Sequence, residues 1–469
     1  MKAATTHNGQ THRQTDRLAK NDPRETFGWK MYDWANSAFY TTVVGALYGP
    51  YLTELTQKMV GENGTVLSFG PLGSITAKSF FPTCVSIAVF LQIFVLPILG
   101  AIADYTNLKK RMMALFCYIA VTANCLMFFV AGRLYLLGGL LFIIANLGFG
   151  ASIVFYNSFL GEITTEDQRD KVSSRGFAYG YLGGGLLLAL NFLLVKSAPT
   201  LGIDTYMAVR LSLLSAGVWW GAFAIITFAS LKTRYAEKAL PPGKSYLTIG
   251  FSELSRTFRE LARLRHTVKY LIAYLFYNDG IQTVITMASV FMAQELFISK
   301  GLKTDQSFLL LIFLMVQFVA IFGALIFERL AYAIGTKNAI LLSLVLWAGV
   351  VIYGYAFLHN TTEAWAMGAV IAIVLGGSQA LSRSLFSRMI PAGHEASFFG
   401  IYEVSERGTS WIGPLVFGAV VAATNSYRQA LLSLILFFIV GMVILYLTDT
   451  AKAIRESGNL LPEEAAGRT

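Results

Sequence analysis

The sequence predicts an all-α membrane protein: twelve transmembrane helices in two six-helix bundles. Three observations carry this reading. Of 469 residues, 55% are hydrophobic and only 14% are charged, against about 25% in an average globular chain. The apolar residues gather into twelve runs near the length of about 20 residues that a helix needs to cross a hydrocarbon core. The basic residues are shared unequally between the loops on alternate sides of those runs. A disordered chain would be poorer in apolar residues. A nucleic-acid binder would set its basic residues on an otherwise polar domain, so the net charge of +10 needs another explanation.

Segments one to twelve cover about 29–55, 79–104, 111–131, 135–161, 173–196, 207–231, 268–297, 306–331, 338–358, 364–390, 397–423 and 427–448. Most lack strict alternation, which argues against β-barrel strands. With the N-terminus inside, 27 Lys and Arg lie on the inner side and 8 on the outer side. This positive-inside bias places both termini in the cytoplasm, and in a bacterial cell the membrane is the plasma membrane. Residues 1–28 lack the apolar core of a signal peptide and are expected to be a disordered tail. Residues 29–231 form the first bundle, 232–267 a cytoplasmic linker, 268–449 the second bundle and 450–469 a C-terminal tail.

Within the linker, Phe251, Leu254, Phe258, Leu261 and Leu264 recur at helical spacing, with Arg256, Arg259, Arg263 and Arg265 among them. The pattern fits a basic helix on the inner leaflet or a solvated linker helix. Residues 36–55 align weakly with 277–296, and the end of segment four with that of segment ten. A six-plus-six repeat of this kind points to a secondary transporter that rocks around a midplane site.

Gly100, Asp104 and the run Lys109-Lys110-Arg111 follow segment two. The spacing resembles the loop 2–3 motif of the major facilitator superfamily, with Asn107 where the middle glycine usually stands. The second-half counterpart keeps Gly335 and Lys337 but has Tyr332 in the aspartate position. The resemblance implies a conformational gate at Gly100, Asp104 and Lys109 that clamps the cytoplasmic side in the outward-open state.

A more specific likeness runs from residue 30 to 448. It is carried by Tyr32-Asp33-Trp34-Ala35-Asn36-Ser37-Ala38-Phe39, Tyr156-Asn157-Ser158-Phe159-Leu160, Gly183-Gly184-Gly185, Tyr277-Asn278-Asp279-Gly280, Gly376-Gly377-Ser378-Gln379, Phe398-Phe399-Gly400 and Gly413-Pro414. The set resembles the family of the autophagy-related vacuolar amino-acid effluxer and its bacterial relatives, within the major facilitator superfamily. The resemblance implies the twelve-helix major facilitator fold and transport of a small solute, with amino-acid export attributed to the eukaryotic member.

In that superfamily helices 1, 4, 7 and 10 line the cavity, and these segments hold the polar residues here. They are Asn36 and Tyr40, Tyr156 and Asn157, Asn278, Asp279 and Gln282, and Gln379 and Arg383. Polar groups inside a membrane face a cavity or a partner, or join helices to one another. Asp279 and Arg383 could hold the two charges of a zwitterion or neutralise each other. In segment eleven, Glu403 and Arg407 are spaced to pair along the helix, while Glu403 and Glu406, with Asp279, are candidate proton carriers. Asp33, near the inner interface, and Arg407 are further gate candidates. Glu54 and Glu295, at the outer ends of segments one and seven, are either gate residues or end caps.

No cofactor, metal or nucleic acid is expected. Cys84, Cys117 and Cys125 form no CxxC pair. Gly243-Lys244-Ser245 lacks the upstream glycine of a phosphate loop, and no HExxH or GxSxG motif suggests an enzyme. The expected partners are a small-molecule substrate, protons and the bilayer, and the expected state is a monomer. The functional expectation is a secondary active transporter working by alternating access and coupled to protons. It moves a small polar solute, for which an amino acid is a candidate. The alternatives are a transporter-fold receptor or sensor without flux, or a transporter of a lipid or amphiphile.

Overall fold

Asp22 caps the first helix by accepting a hydrogen bond from the Arg24 amide, and Pro23 occupies its first turn, both favoured at a helix start. The helix therefore begins inside the stretch expected to be a disordered tail, and Glu25 and Gly28 are already buried. The computed structural model describes residues 19–62, 64–68, 74–105, 108–232, 243, 245–303, 305–407 and 412–467. The expected tail over 1–18, together with Asn63, Asn107, Lys244 and residues 408–411, lies outside them.

The twelve spans are labelled α1 to α12. α1 comprises Pro23–Ala38, a π-helical stretch Phe39–Leu47 and Tyr48–Val60. Ten spans are continuous helices, long and apolar enough to cross a membrane. They are α2 (Ala77–Tyr105), α3 (Lys109–Phe129), α4 (Gly132–Ile163), α5 (Arg169–Lys196), α6 (Thr205–Ser230), α7 (Arg265–Lys300), α8 (Ser307–Ile334), α9 (Thr336–Ala356), α10 (Thr361–Arg388) and α12 (Tyr427–Tyr446). α11 is described as two pieces, Glu395–Arg407 and Ile412–Thr424. A short hairpin, β1 (Thr65–Ser68) with β2 (Ser74–Thr76), joins α1 to α2. The linker carries a helix over Tyr246–Arg263. Helices at Thr450–Glu456 and Pro462–Ala466 put structure into the expected C-terminal tail.

Two large apolar clusters follow the halves. One packs Trp29, Tyr48, Phe142, Phe155 and Trp220. The other packs Tyr274, Trp347, Phe386, Phe399 and Phe438. Lipid is as apolar as leucine, so helices in a membrane associate through close packing and polar contacts. α5 shows the close packing. A Cβ on Gly176 would fall 2.6 Å from Asp33 Oδ2, and one on Gly180 2.7 Å from Ser37 Oγ. One on Gly184 would fall 2.9 Å from Thr41 Cγ2. The glycine stripe is thus the seat of α1.

Candidate functional site

Both described ends of the chain lie on one face of the bundle, here the terminal face. Asn21 donates from its backbone to Ile163 at the end of α4, and Asn459 donates to the Arg388 carbonyl at the end of α10. Just inside this face α1, α4, α5, α10 and α11 converge on Arg383.

The Arg383 guanidinium is buried. Its Nη2 lies 3.3 Å from Asp33 Oδ2. Nε donates to Ser173 Oγ at 2.9 Å, Nη2 to the Ser173 carbonyl at 3.0 Å and Nη1 to Asn157 Oδ1 at 3.3 Å. The Tyr156 hydroxyl donates to Asp33 Oδ2 at 2.7 Å. The guanidinium also lies over the rings of Phe177 at 4.3 Å and Trp29 at 4.8 Å, within the range of cation–π attraction. The planar fork of arginine suits several acceptors at once where a lysine would offer a point charge.

From Asn157 the network runs on into α11. Its Nδ2 donates to Glu403 Oε1 at 2.9 Å, and Arg407 Nε donates to Glu403 Oε2 at 3.0 Å. The expected pairing along α11 is present. The alternative in which Arg383 and Asp279 neutralise each other is not seen, because Arg383 is engaged by Asp33 on the other half. Asp279 is buried, and neither carboxylate oxygen has a hydrogen-bond partner among the described residues. It faces the second piece of α11, where a Cβ on Gly413 would fall 3.3 Å from the Asp279 carbonyl.

The remaining predicted residues spread around this core. The Asn278 amide donates to the Glu406 carbonyl at 3.1 Å. Tyr181 donates to Gln379 Oε1 at 3.5 Å. Asn36 is buried, with its amide nitrogen unsatisfied. Gln282 is partly buried and contributes its carbonyl to Thr286. Tyr40, on the π-helical stretch, stacks on Phe149 with centroids 6.3 Å apart and is 46% exposed. Arg407 lies over the same Phe149 ring at 4.9 Å. Single π turns inside α-helices often mark functional sites.

Asp104 at the end of α2 accepts from the backbone amides of Ala396 (3.0 Å) and Ser397 (2.7 Å), the first turn of α11. Lys109 Nζ lies 3.7 Å from Asp104 and also pairs with Glu162. Gly100 lets α2 touch α11, since a Cβ there would fall 2.2 Å from the Ala396 carbonyl oxygen.

Further contacts across the halves are Arg388 with Asp170 at 2.8 Å, Arg169 with the Ser387 carbonyl at 2.7 Å and Arg175 with Glu328 at 3.2 Å. These lie in the part of each helix nearer the terminal face. At the opposite face, Glu54 meets Lys58 and Tyr206 within the first half. Glu295 meets Arg428 at 2.7 Å within the second.

Ser173, Trp29 and Phe177 were not anticipated from the sequence. Ser173 sits three residues before Gly176 on the small-residue stripe of α5, and that periodicity was the available signal. A trough of about 640 Å³ lined by Leu115, Tyr118, Ile119 and Leu141 lies on the outside of α3 and α4, away from this network.

The chain matches the family model described as "Vacuole effluxer Atg22 like" over residues 21–458. It is 29% identical to the MFS-type transporter YxiO of Bacillus subtilis (strain 168), over 95% of this chain and 100% of that protein. It is 24% identical to autophagy-related protein 22-1 of Penicillium rubens, over 92% of this chain and 91% of that protein. Among solved structures it resembles the proton:xylose symporter XylE, with TM-score 0.66 and 14% identity over 94% of this chain and 98% of that one. It also resembles the E. coli fucose:proton symporter FucP, with TM-score 0.65 and 13% identity over 91% and 98%.

Proposed function

We propose a function from one premise: the chain belongs to the family of Atg22-like vacuole effluxers and is a multi-pass membrane transporter of the major facilitator fold, not an enzyme. It moves a small polar solute, with an amino acid as the leading candidate, by alternating access coupled to protons.

One observation carries the reading. The buried ion pair Asp33 with Arg383, which joins the halves, lies in a network that reaches a second carboxylate, Glu403, and is accompanied by a third, Asp279, without a hydrogen-bond partner among the described residues. A substrate carboxylate can compete with Asp33 for Arg383, and a substrate ammonium can lie against Glu403 or Asp279. Binding then weakens the tie between the halves, which is how a ligand with different affinity for two states shifts their balance. Protonation of Glu403 or Asp279 adds a second input to the same switch. The name of the family supports a solute-efflux reading, and the solved structures support the fold on which it rests.

The excess of Lys and Arg favours a cytoplasmic terminal face. With polar contacts between the halves gathered there, the arrangement is one closed to the cytoplasm and poised to open outward, with Gly100, Asp104 and Lys109 as the clamp. The test is counterflow of radiolabelled amino acids in proteoliposomes, with and without a protonophore. Counterflow for a defined solute, with accumulation abolished by the protonophore, supports the proposal. A solute that raises the melting temperature but never exchanges favours a receptor.

A further inference from the structure

The linker helix Tyr246–Arg263 has two apolar faces. Ile249, Thr257 and Leu261 are buried against the bundle, as is Glu253. Gly250 sits so close to α2 that a Cβ would fall 3.0 Å from Ile102 Cγ1 and 3.1 Å from Ile98 Cγ2. Those isoleucines precede the end of α2 at Tyr105 by a few residues each. At about 1.5 Å per residue, the crossing lies roughly 5–10 Å inside the end of a membrane span.

The opposite face points away from the protein. Phe251 is 61% and Phe258 51% exposed. With Leu254 and Ala262 they line a shallow trough of about 500 Å³. A span of this length matches the roughly 40–45 Å of a bilayer with its headgroups, which would put this face at the interfacial level. Basic residues flank the strip: Arg259, Arg263 and Arg265 are exposed. Among the described residues, Arg259 bonds only the Ser255 carbonyl of its own helix, and Arg263 and Arg265 form no ion pair. On the side turned to the bundle, in contrast, Arg256 is paired with Glu260 at 2.8 Å.

We propose that the linker helix is an interfacial anchor for anionic phospholipid. Phe251 and Phe258 enter the acyl boundary, where amphipathic helices sit about 5–10 Å deep, and Arg259, Arg263 and Arg265 bind the phosphate groups. The bound helix also braces the clamp. Its buried side places Glu253 and Glu260 at 3.9 and 3.6 Å from His394, two residues before the Ala396 amide held by Asp104.

The test uses the full chain with Cys84, Cys117 and Cys125 replaced by serine. A nitroxide is placed at Ser255→Cys or Phe258→Cys, and the protein is reconstituted into phosphatidylcholine vesicles with or without phosphatidylglycerol. Collisions with oxygen should exceed those with a water-soluble nickel chelate at both positions, and the excess should grow with phosphatidylglycerol. Each arginine replaced by glutamine should weaken the response to anionic lipid about five-fold. If the cysteine-free chain does not fold, the emission added by Phe258→Trp over that of the seven native tryptophans, quenched by brominated lipid, gives the depth of the same position. A dominant nickel-chelate collision rate means a solvated helix and overturns the proposal. Protection from both reagents means a covering second copy and overturns it too, as does indifference to phosphatidylglycerol.

Discussion

Arg383 of α10 and Asp33 of α1 meet at 3.3 Å across the boundary between the two six-helix halves. They are separated by 350 residues of sequence, and each has a partner from a third helix. The relationship makes the halves electrostatically dependent on one another at one buried point.

Removing one member of a buried pair strands the other and costs about 3–5 kcal/mol. Arg383→Gln should therefore lower the melting temperature in detergent by many degrees and abolish counterflow. Adding Asp33→Asn should recover most of the stability and none of the transport, as expected for coupled neighbours. Full transport by the double variant would remove both residues from the mechanism.

Asp279 has the opposite profile. Its buried carboxylate has no hydrogen-bond partner among the described residues, so Asp279→Asn should leave the melting temperature unchanged or raise it. Transport should fall at least about ten-fold, equivalent to roughly 1.4 kcal/mol. A stable variant with normal counterflow would leave Asp279 without a role.

Glu403→Gln retains an oxygen that can accept from Asn157 but loses the charge facing Arg407. Solute exchange at equal pH should persist while accumulation driven by a pH gradient disappears. The comparison is made in one batch of proteoliposomes, and equal loss of both activities would refute separate coupling.

The pH dependence of transport should originate inside the spans. Outside them, the Lys232 ammonium, bonded to Asp22, holds that carboxyl below its usual range, with the Arg24 amide adding to the effect. Because the folded value is depressed, the stabilisation is complete above the ordinary carboxylate value of about 3.9. It is lost only as the pH falls through the lower, folded value. Lys232→Met should thus leave the transport profile between about pH 5 and 8 unmoved, and a shifted profile would contradict this assignment.

The clamp can be loosened in two independent ways. Gly100→Ala drives a methyl into the Ala396 carbonyl, and Asp104→Asn removes a charge that holds two amides. Hydrogen bonds to charged groups contribute about 1.5–3 kcal/mol, so either change should shift the balance toward an open terminal face by ten-fold or more. The readout is alkylation of a cysteine at Ser387, which is buried in the closed arrangement. Slower alkylation than in the parent would reverse the assigned gate.

The spans were legible because a membrane imposes length and apolarity on each helix separately, and these are properties of a contiguous run. The polar helices were legible too: Asp33, Asn157, Arg383 and Glu403 stand out against their apolar neighbours. The partnerships were not. Asp33 and Asp279 lie on the corresponding first helices of the repeated halves, and sequence does not say which one Arg383 faces. That choice rests on the rotation of α10 and on the glycine stripe of α5 that seats α1. Ser173 was hidden because a serine in a small-residue stripe looks like packing alone.

Among the described residues, the first turn of α11 finds acceptors for the amides of Ala396 and Ser397 only on α2, from the Asp104 carboxylate. When the faces part, those donors and that carboxylate must be taken over by water. Opening is therefore a hydration reaction, and closing squeezes solvent out of the seam. The conformational equilibrium is in this sense osmotic. In the proposed cycle, a solute excluded from protein surfaces would favour the drier, closed seam, so the osmotic environment of the membrane would act on it alongside substrate and protons.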